Sequence, residues 1–370
     1  MKKIKLVISD IHLSQGLKLP NGTTNPLEEF HYDQQFAEFL RYYSMGEWAD
    51  YEVELIINGD FLNFIQIDYK GFYLNVITED IDLHKLKAIV DGHPLVFESL
   101  REFASDPKRS LTYVVGNHDQ GMLWPKCREY LDDVLETKVK YKSIVYYFDG
   151  VHIEHGHMHE AANRLNPKKF FLKKDLPEPI LNLPFGSHFF IEFVMRIKRE
   201  RNPHIDKIRP LGNAIRWWLI HDTINSLKIL WSLLSYFFMS LFNTDPKRGW
   251  NFRQIIKIFL QRAVFPDLSG AARKILSDRR VHTVIFGHSH VYQYRQFGEE
   301  KEYFNTGTWT EVTSLELASL GKFTKLTYVL LEYFEDPSES AEDEEPEFRP
   351  RGRLKEWRGF HRISEDVVIS

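Results

Sequence analysis

A layered α/β sandwich interrupted by a helical insertion is the architecture this sequence predicts, and three observations predict it. Short β-branched runs recur through the first 155 residues and return after residue 281. Five of these runs end in Asp, Asn or His, four of them beside glycine. Between the two β-rich regions lies a stretch that is aromatic, basic and helical in pattern. Strands alternating with helical segments indicate a sheet with helices on its faces, and such sheets bind ligands just beyond the carboxyl ends of their strands.

Taken in order, the five runs are Leu6-Val7-Ile8, Leu55-Ile56-Ile57, Tyr113-Val114-Val115, Val151-His152-Ile153 and Val284-Ile285-Phe286. Behind them stand Asp10-Ile11-His12, Gly59-Asp60, Gly116-Asn117-His118-Asp119, His155-Gly156-His157 and Gly287-His288-Ser289-His290. The fourth run is one arm of an expected hairpin, Ile144 to Phe148, then Asp149-Gly150, then Val151 to Glu154, because Asp-Gly supplies the positive φ of a tight turn. After residue 281 the β pattern continues through Val291 to Tyr294, Tyr303 to Trp309 and Thr324 to Phe334. No internal repeat is present.

In type and order these five motifs resemble the signature of the calcineurin-like metallophosphoesterases. The resemblance implies a four-layer αββα sandwich and two divalent cations, about 3.5–4 Å apart, that clamp a phosphoryl group and make hydroxide from water at neutral pH. Carried over motif by motif, it assigns Asp10, His12, Asp60 and His290 to the first cation and Asp60, Asn117, His155 and His288 to the second. Asp60 bridges the two. Carboxylate, amide and imidazole without thiolate suit Mn²⁺, with Fe or Zn²⁺ as alternatives. Asn117 and His118 are implied to contact the phosphate. His118 would also protonate the leaving oxygen, and Asp119 would orient its ring. His152, His157 and His159 crowd the fourth motif, where a supporting role and a structural one are equally open.

Since one site draws on both ends of the chain, residues 1–157 and 281–334 are expected to form one catalytic domain. Residues 158–280 are then an inserted helical cap, and 335–370 an acidic, then basic, C-terminal tail. The sole cysteine, Cys127, excludes an internal disulfide framework and fits a reducing, cytoplasmic setting. Met1 to Ile8 has too short an apolar stretch for a secretory signal and reads as the first strand. A net charge of −4 hides an asymmetry: residues 158–262 hold 18 Lys and Arg against 8 Asp and Glu, so the remainder carries −14. Such a basic middle suits an acidic partner: an anionic substrate, a nucleic acid or an anionic membrane surface. The insert has no recognisable nucleic-acid module, so nucleic acid is the least supported of these.

Within the insert, Phe189 to Arg199 is aromatic and then basic, as interfacial helices are. Ile215 to Phe242 is rich in Trp and Phe, but its longest uncharged run, Ile229 to Phe242, falls short of the roughly 20 residues that span a hydrocarbon core. Two expectations follow: a cap packed on the sandwich or on a second subunit, or one that shapes an acyl-binding groove or rests on anionic lipid with Arg196, Lys198, Arg199 and Arg201. Glu335 to Glu347 holds 8 acids and no base, and Phe348 to Arg362 holds six Lys or Arg, a composition expected of a docking or disordered end.

The inserted cap and Asn305 to Trp309, an Asn-Thr-Gly-x-Trp segment, make the chain similar to the UDP-2,3-diacylglucosamine pyrophosphohydrolases of lipid A synthesis. That likeness implies an acylated nucleotide-sugar substrate and a peripheral position on the inner face of the membrane. The chain departs from those enzymes at His118, where they tend to have Arg, and at His155-Gly156-His157, where they tend to have His-Gly-Asp. A phosphoesterase acting on a soluble nucleotide, nucleic acid or phosphoprotein is the alternative, for which His118 is the more usual residue. A non-catalytic scaffold would be expected to have lost ligands, and all seven positions carry competent side chains.

Overall fold

The computed structural model describes residues 2–200, 203, 207–209, 211–242, 245, 248, 250, 252–260, 267–314, 321–334, 349–360 and 365–366. One sheet has seven strands in the order Glu365–Asp366, Pro350–Trp357, Leu326–Tyr333, Lys3–Ile8, Glu52–Asn58, Arg109–Val114 and Lys140–Lys142. The last four run parallel. A second sheet has five: Gln293–Phe297, Lys301–Asn305, Thr283–Phe286, Val151–Glu154 and Val145–Phe148, with the middle three parallel.

Alternation along the strands fixes the layering. Val7, Ile56, Val114, Val329 and Leu331 meet Tyr146, Ile153, Ile285 and Phe304 between the sheets. Their neighbours Leu6, Ile8, Leu55, Ile57 and Leu330 face the opposite way, into a cluster with Phe36, Phe39, Leu86, Ile89, Val96 and Leu131. Those belong to the helices Asp33–Tyr42, Glu79–Gly92, Pro94–Ala104 and Pro125–Leu135. A one-residue slip of any strand would exchange its two faces, so this packing sets the register. The far face of the second sheet is covered by the helix Ser269–Ile275, through Leu268, Ala272 and Leu276 against Val284, Phe286 and Tyr303. The result is a four-layer αββα sandwich. The expected hairpin forms with Phe148 opposite Val151, and Asp149 and Gly150 take φ of 43° and 71°.

Two expected boundaries move. The helix Ser269–Ile275 lies before residue 281 yet belongs to the sandwich, because its apolar face fills the outer side of the second sheet. Similarly, the strand Pro350–Trp357 pairs antiparallel along the whole of Leu326–Tyr333, and Leu354 and Trp357 are buried. The basic segment assigned to a tail is therefore a sheet strand. Its Lys and Arg alternate with residues that pack inward, which composition alone does not separate. The acidic run 335–347 lies outside the described residues.

The insert divides into a docked part and an exposed part. Leu181, Leu183 and Ile191 join the main core. Lys198 is buried on Glu29, with Nζ to Oε1 at 2.8 Å, instead of facing a membrane. Arg196 donates to Ser232 and Arg199 lies over the Tyr73 ring, while Arg201 lies outside the described residues. By contrast the helices Leu211–His221 and Thr223–Leu241 are largely exposed. The second has 19 residues, so it is long and apolar enough to cross a membrane by length and composition, contrary to the shorter uncharged run seen in the sequence. Lys228 bounds that run, but the helix continues through it.

A buried charge cluster braces the long loop after the first strand. His93 Nδ1 lies 2.8 Å from Asp33 Oδ1 and its Nε2 3.2 Å from Glu28 Oε2. Glu28 also accepts from the backbone N–H groups of Ser14, Gly16, Glu29 and Phe30. Burial opposes charging of His93, but the two carboxylates outweigh it and raise the imidazolium to about 9. A raised pKa gives stability that is complete below the unfolded value near 6.5 and lost as pH climbs through about 9. We expect His93→Gln to remove about 3 kcal/mol at pH 6, judged from the size of that shift, and the gap from the native protein to narrow by pH 9.5 in denaturant titrations. A gap that stays constant with pH would show that His93 is not the charged partner.

Candidate metal centre

Each motif leaves its strand by a turn that aims its side chain at one place. Asp10, His12, Asp60, His288 and His290 have φ between 51° and 66°, the left-handed region that non-glycine residues seldom occupy. The turns are pinned to one another. Asp10 N donates to Gly59 O, His12 N to Asp60 O and Gly287 N to His155 O, at 2.9–3.1 Å. Glycines allow the approach: a Cβ on Gly116 would collide with the Asp60 carboxylate, and one on Gly287 with that of Asp10.

The side chains converge in three groups, each with its donor atoms within 4.8 Å of one another: Asp10, His12 and His290; His12, Asp60 and His118; Asp60, His155 and His288. His12 Nε2 lies 3.0 Å from His290 Nε2, and His290 Nε2 lies 3.2 Å from Asp10 Oδ1. His155 Nε2 stands 3.0 Å from Asp60 Oδ2 without hydrogen-bond geometry. Asn117 is buried, and its Oδ1 has no hydrogen-bond partner, nor has His12 Nδ1. Buried acceptors left facing one another cost free energy unless a shared positive body satisfies them. This donor set, two carboxylates, an amide oxygen and imidazoles, fits hard to borderline divalent cations.

Electrostatics agree. Burial raises the carboxyls of Asp10 and Asp60, but the imidazoles around them prevail and hold both well below the usual carboxylate range. Burial lowers His155, yet Asp60 and Asp10 raise it to about 10. The cluster thus draws positive charge to itself.

Surrounding groups fix the ligands. Asn58 O accepts from His155 Nδ1 at 2.9 Å, turning Nε2 inward. Glu160 Oε2 meets His288 Nε2 at 2.6 Å, which leaves Nδ1 to face the cluster. Thr308 Oγ1 donates to Asp10 O at 2.7 Å, and Asn305 Nδ2 to Gly287 O at 2.7 Å. The Asn-Thr-Gly-x-Trp segment therefore braces the first and fifth motifs. Sequence reasoning missed Glu160, Asn63 and Asn58; only Glu160 carried a signal, a carboxylate five residues after His155 on the same loop.

His118 and Asp119 differ from expectation. Asn63 Oδ1, not Asp119, lies against the His118 ring, 3.0 Å from Nδ1. Asp119 instead accepts from Tyr113 OH, Phe61 N and Gly116 N. It holds the loop, because its short side chain points back toward its own strand. Burial pushes Asp119 up to about 7 and His118 down to about 3. Of the other histidines, His157 is buried beside His155 and His288 with neither ring nitrogen hydrogen-bonded. His159 and His152 both face Glu154.

Acids, an amide and imidazoles gathered beyond the carboxyl ends of five strands on two facing sheets define the active site of a metal-dependent hydrolase of phosphoesters. Residues 5–292 match the calcineurin-like phosphoesterase family, and the chain belongs to that family. Its members use divalent metal ions. Solved structures that the chain matches include a dimetal phosphatase from Danio rerio, 9% identical over 99% of both chains with a TM-score of 0.37. Others are a putative 5'-nucleotidase from Staphylococcus aureus, 12% identical over 96% of this chain and 54% of that one, TM-score 0.38, and Vacuolar Protein Sorting 29 from Cryptosporidium parvum, 12% identical over 96% and 97%, TM-score 0.29. No curated protein matches the sequence.

Proposed function

We propose that this phosphoesterase cleaves a pyrophosphate or phosphoester in an acylated, nucleotide-linked substrate of the UDP-2,3-diacylglucosamine kind. Asp10, His12, Asp60 and His290 would hold one cation and Asp60, Asn117, His155 and His288 the other, with manganese the first choice. When bound, the cations supply charge neutralisation at phosphorus and an activated water. Asn63 Oδ1 accepts a hydrogen bond from His118 Nδ1–H, so Nε2 is the atom presented to the substrate. A proton taken up from solvent on Nε2 as the negative phosphate binds would pass to the leaving oxygen, and the ring would return to its neutral form.

The observation that carries the substrate reading is the aromatic insert that reaches the site. Phe190 of the cap packs on the His118 ring at 5.6 Å, and the longest cap helix leaves Trp231, Leu234 and Phe238 exposed. An acyl chain laid on such apolar surface gains about 0.8 kcal/mol for each CH₂ it buries, and a soluble nucleotide has none to bury. With manganese-loaded protein we expect kcat/KM for UDP-2,3-diacylglucosamine to exceed that for its deacylated counterpart by at least about 10²-fold, the worth of four buried methylenes. Equal rates would overturn the acylated substrate and favour a soluble phosphoester.

A further inference from the structure

The helix Thr223–Leu241 is built inside out. Its inward face carries Ser232, Tyr236 and Ser240, which bond to Arg196 Nη2, Glu192 Oε2 and the Tyr236 carbonyl at 2.8–3.0 Å. Outward, at helical spacing, stand Ile224, Leu227, Trp231, Leu234 and Phe238, continued by Phe242 just beyond its end. Ile224 is 70% exposed and Trp231 73%. A helix in water turns the opposite way, so an exposed apolar face of this size marks a surface that is covered in use. The preceding helix extends the face with Trp217 and Ile220.

We propose that this face docks on an anionic lipid bilayer and lies in its interface. Charge selects that occupant. Over residues 211–242 and 252–260 the bases are Arg216, Lys228, Arg253 and Lys257, all exposed, and the one acid is Asp222. A two-fold contact with a second copy would set the same bases against themselves with little acid to answer them. Anionic headgroups answer all four, and Trp217 and Trp231 suit the boundary between headgroups and acyl chains.

The helix rests on the bilayer and does not cross it. Both ends of the insertion return to one sandwich, since Val151–Glu154 before it pairs with Thr283–Phe286 after it. An insertion that begins and ends on one side must cross an even number of times, and among the described residues this is the one helix long enough. Its inward face is also tied to the cap. Phe185, Phe189 and Phe193 pack tilted or edge-on against Tyr236 or Phe237, and Phe190 on the same helical segment packs on His118. That segment therefore links the helix that carries the docking face to the metal centre.

This inference deepens the acylated-substrate reading, and vesicle binding without substrate tests it separately. The full chain should float with phosphatidylglycerol vesicles at low salt and much less with phosphatidylcholine. Trp231→Glu with Phe238→Glu, and separately the four bases changed to Gln, should each lower partitioning at least about tenfold, as the loss of several surface charges or two apolar anchors implies. Both variants should hydrolyse bis(p-nitrophenyl) phosphate at the native rate, which controls for folding. Failure of the native chain to float overturns the proposal, as does undiminished floating of the Glu variant. So does a native dimer that Trp231→Glu splits without any vesicle binding, which assigns the face to a second copy. If floating fails while acylated substrate is still preferred, the substrate reading stands alone; floating with no acyl preference leaves the docking and removes that reading.

Discussion

Asp60→Ala is expected to leave the protein folded but without bound metal. Asp60 belongs to two of the three donor groups, and its Oδ1 also accepts from His118 N at 2.8 Å. On the proposed assignment its loss would remove the anion shared by the two cations. We expect elemental analysis to find both ions depleted and kcat/KM to fall more than about 10³-fold, since a two-cation clamp supplies several kcal/mol. Asn117→Ala, which removes an amide oxygen assigned to one ion, should deplete the metal only in part. Asp60→Asn separates charge from shape: it can keep the bond to His118 N while losing the bridge. Two metals retained in Asp60→Ala would refute the bridging assignment.

His118→Asn should keep the metals and lower turnover by roughly 10²–10⁴-fold, the usual contribution of a positioned acid or base. The geometry makes this test sharp, because His118 stands in a donor group with His12 and Asp60 and could in principle ligate. Metal content decides between the roles. If the variant loses an ion, His118 belongs to the coordination sphere and the proton must come from elsewhere. If it keeps both and loses turnover, the ring acts on the substrate. Asn63→Ala should then mimic part of the defect with metals intact, since Asn63 holds the proton on Nδ1.

The strand ends were legible in the sequence because each motif couples a local turn to a specific chemistry, so residue type and position coincide. The layering was legible for a similar reason: Leu6, Val7 and Ile8 are apolar on both faces, as strands covered on both sides are. What was not legible came from distant chain. Glu160 reaches His288 across 128 residues, and Asn63 meets His118 across 55. Neither pairing has a spacing that a single sequence reveals, although Glu160 itself stands five residues after His155. His93 carried no motif and lies buried between two carboxylates, because these partners come from a loop and a helix that only the fold brings together. The strand Pro350–Trp357 was hidden by its charge, which sits on an edge region of the sheet where long basic side chains reach solvent.

Asp10, Asp60 and Asn117 hang from the seven-stranded sheet, and His155, His288 and His290 from the five-stranded one. A cation held between them would act as a rivet through two plates. Neither plate alone offers a complete socket, so an unfolded chain competes poorly for the ion, and the free energy of binding becomes cohesion of the sandwich. At a hundredfold excess over Kd that linkage amounts to about 2.7 kcal/mol. Thermal resistance of this enzyme is therefore an indirect gauge of its occupancy, and starving it of metal loosens the seam between the plates as well as silencing the chemistry.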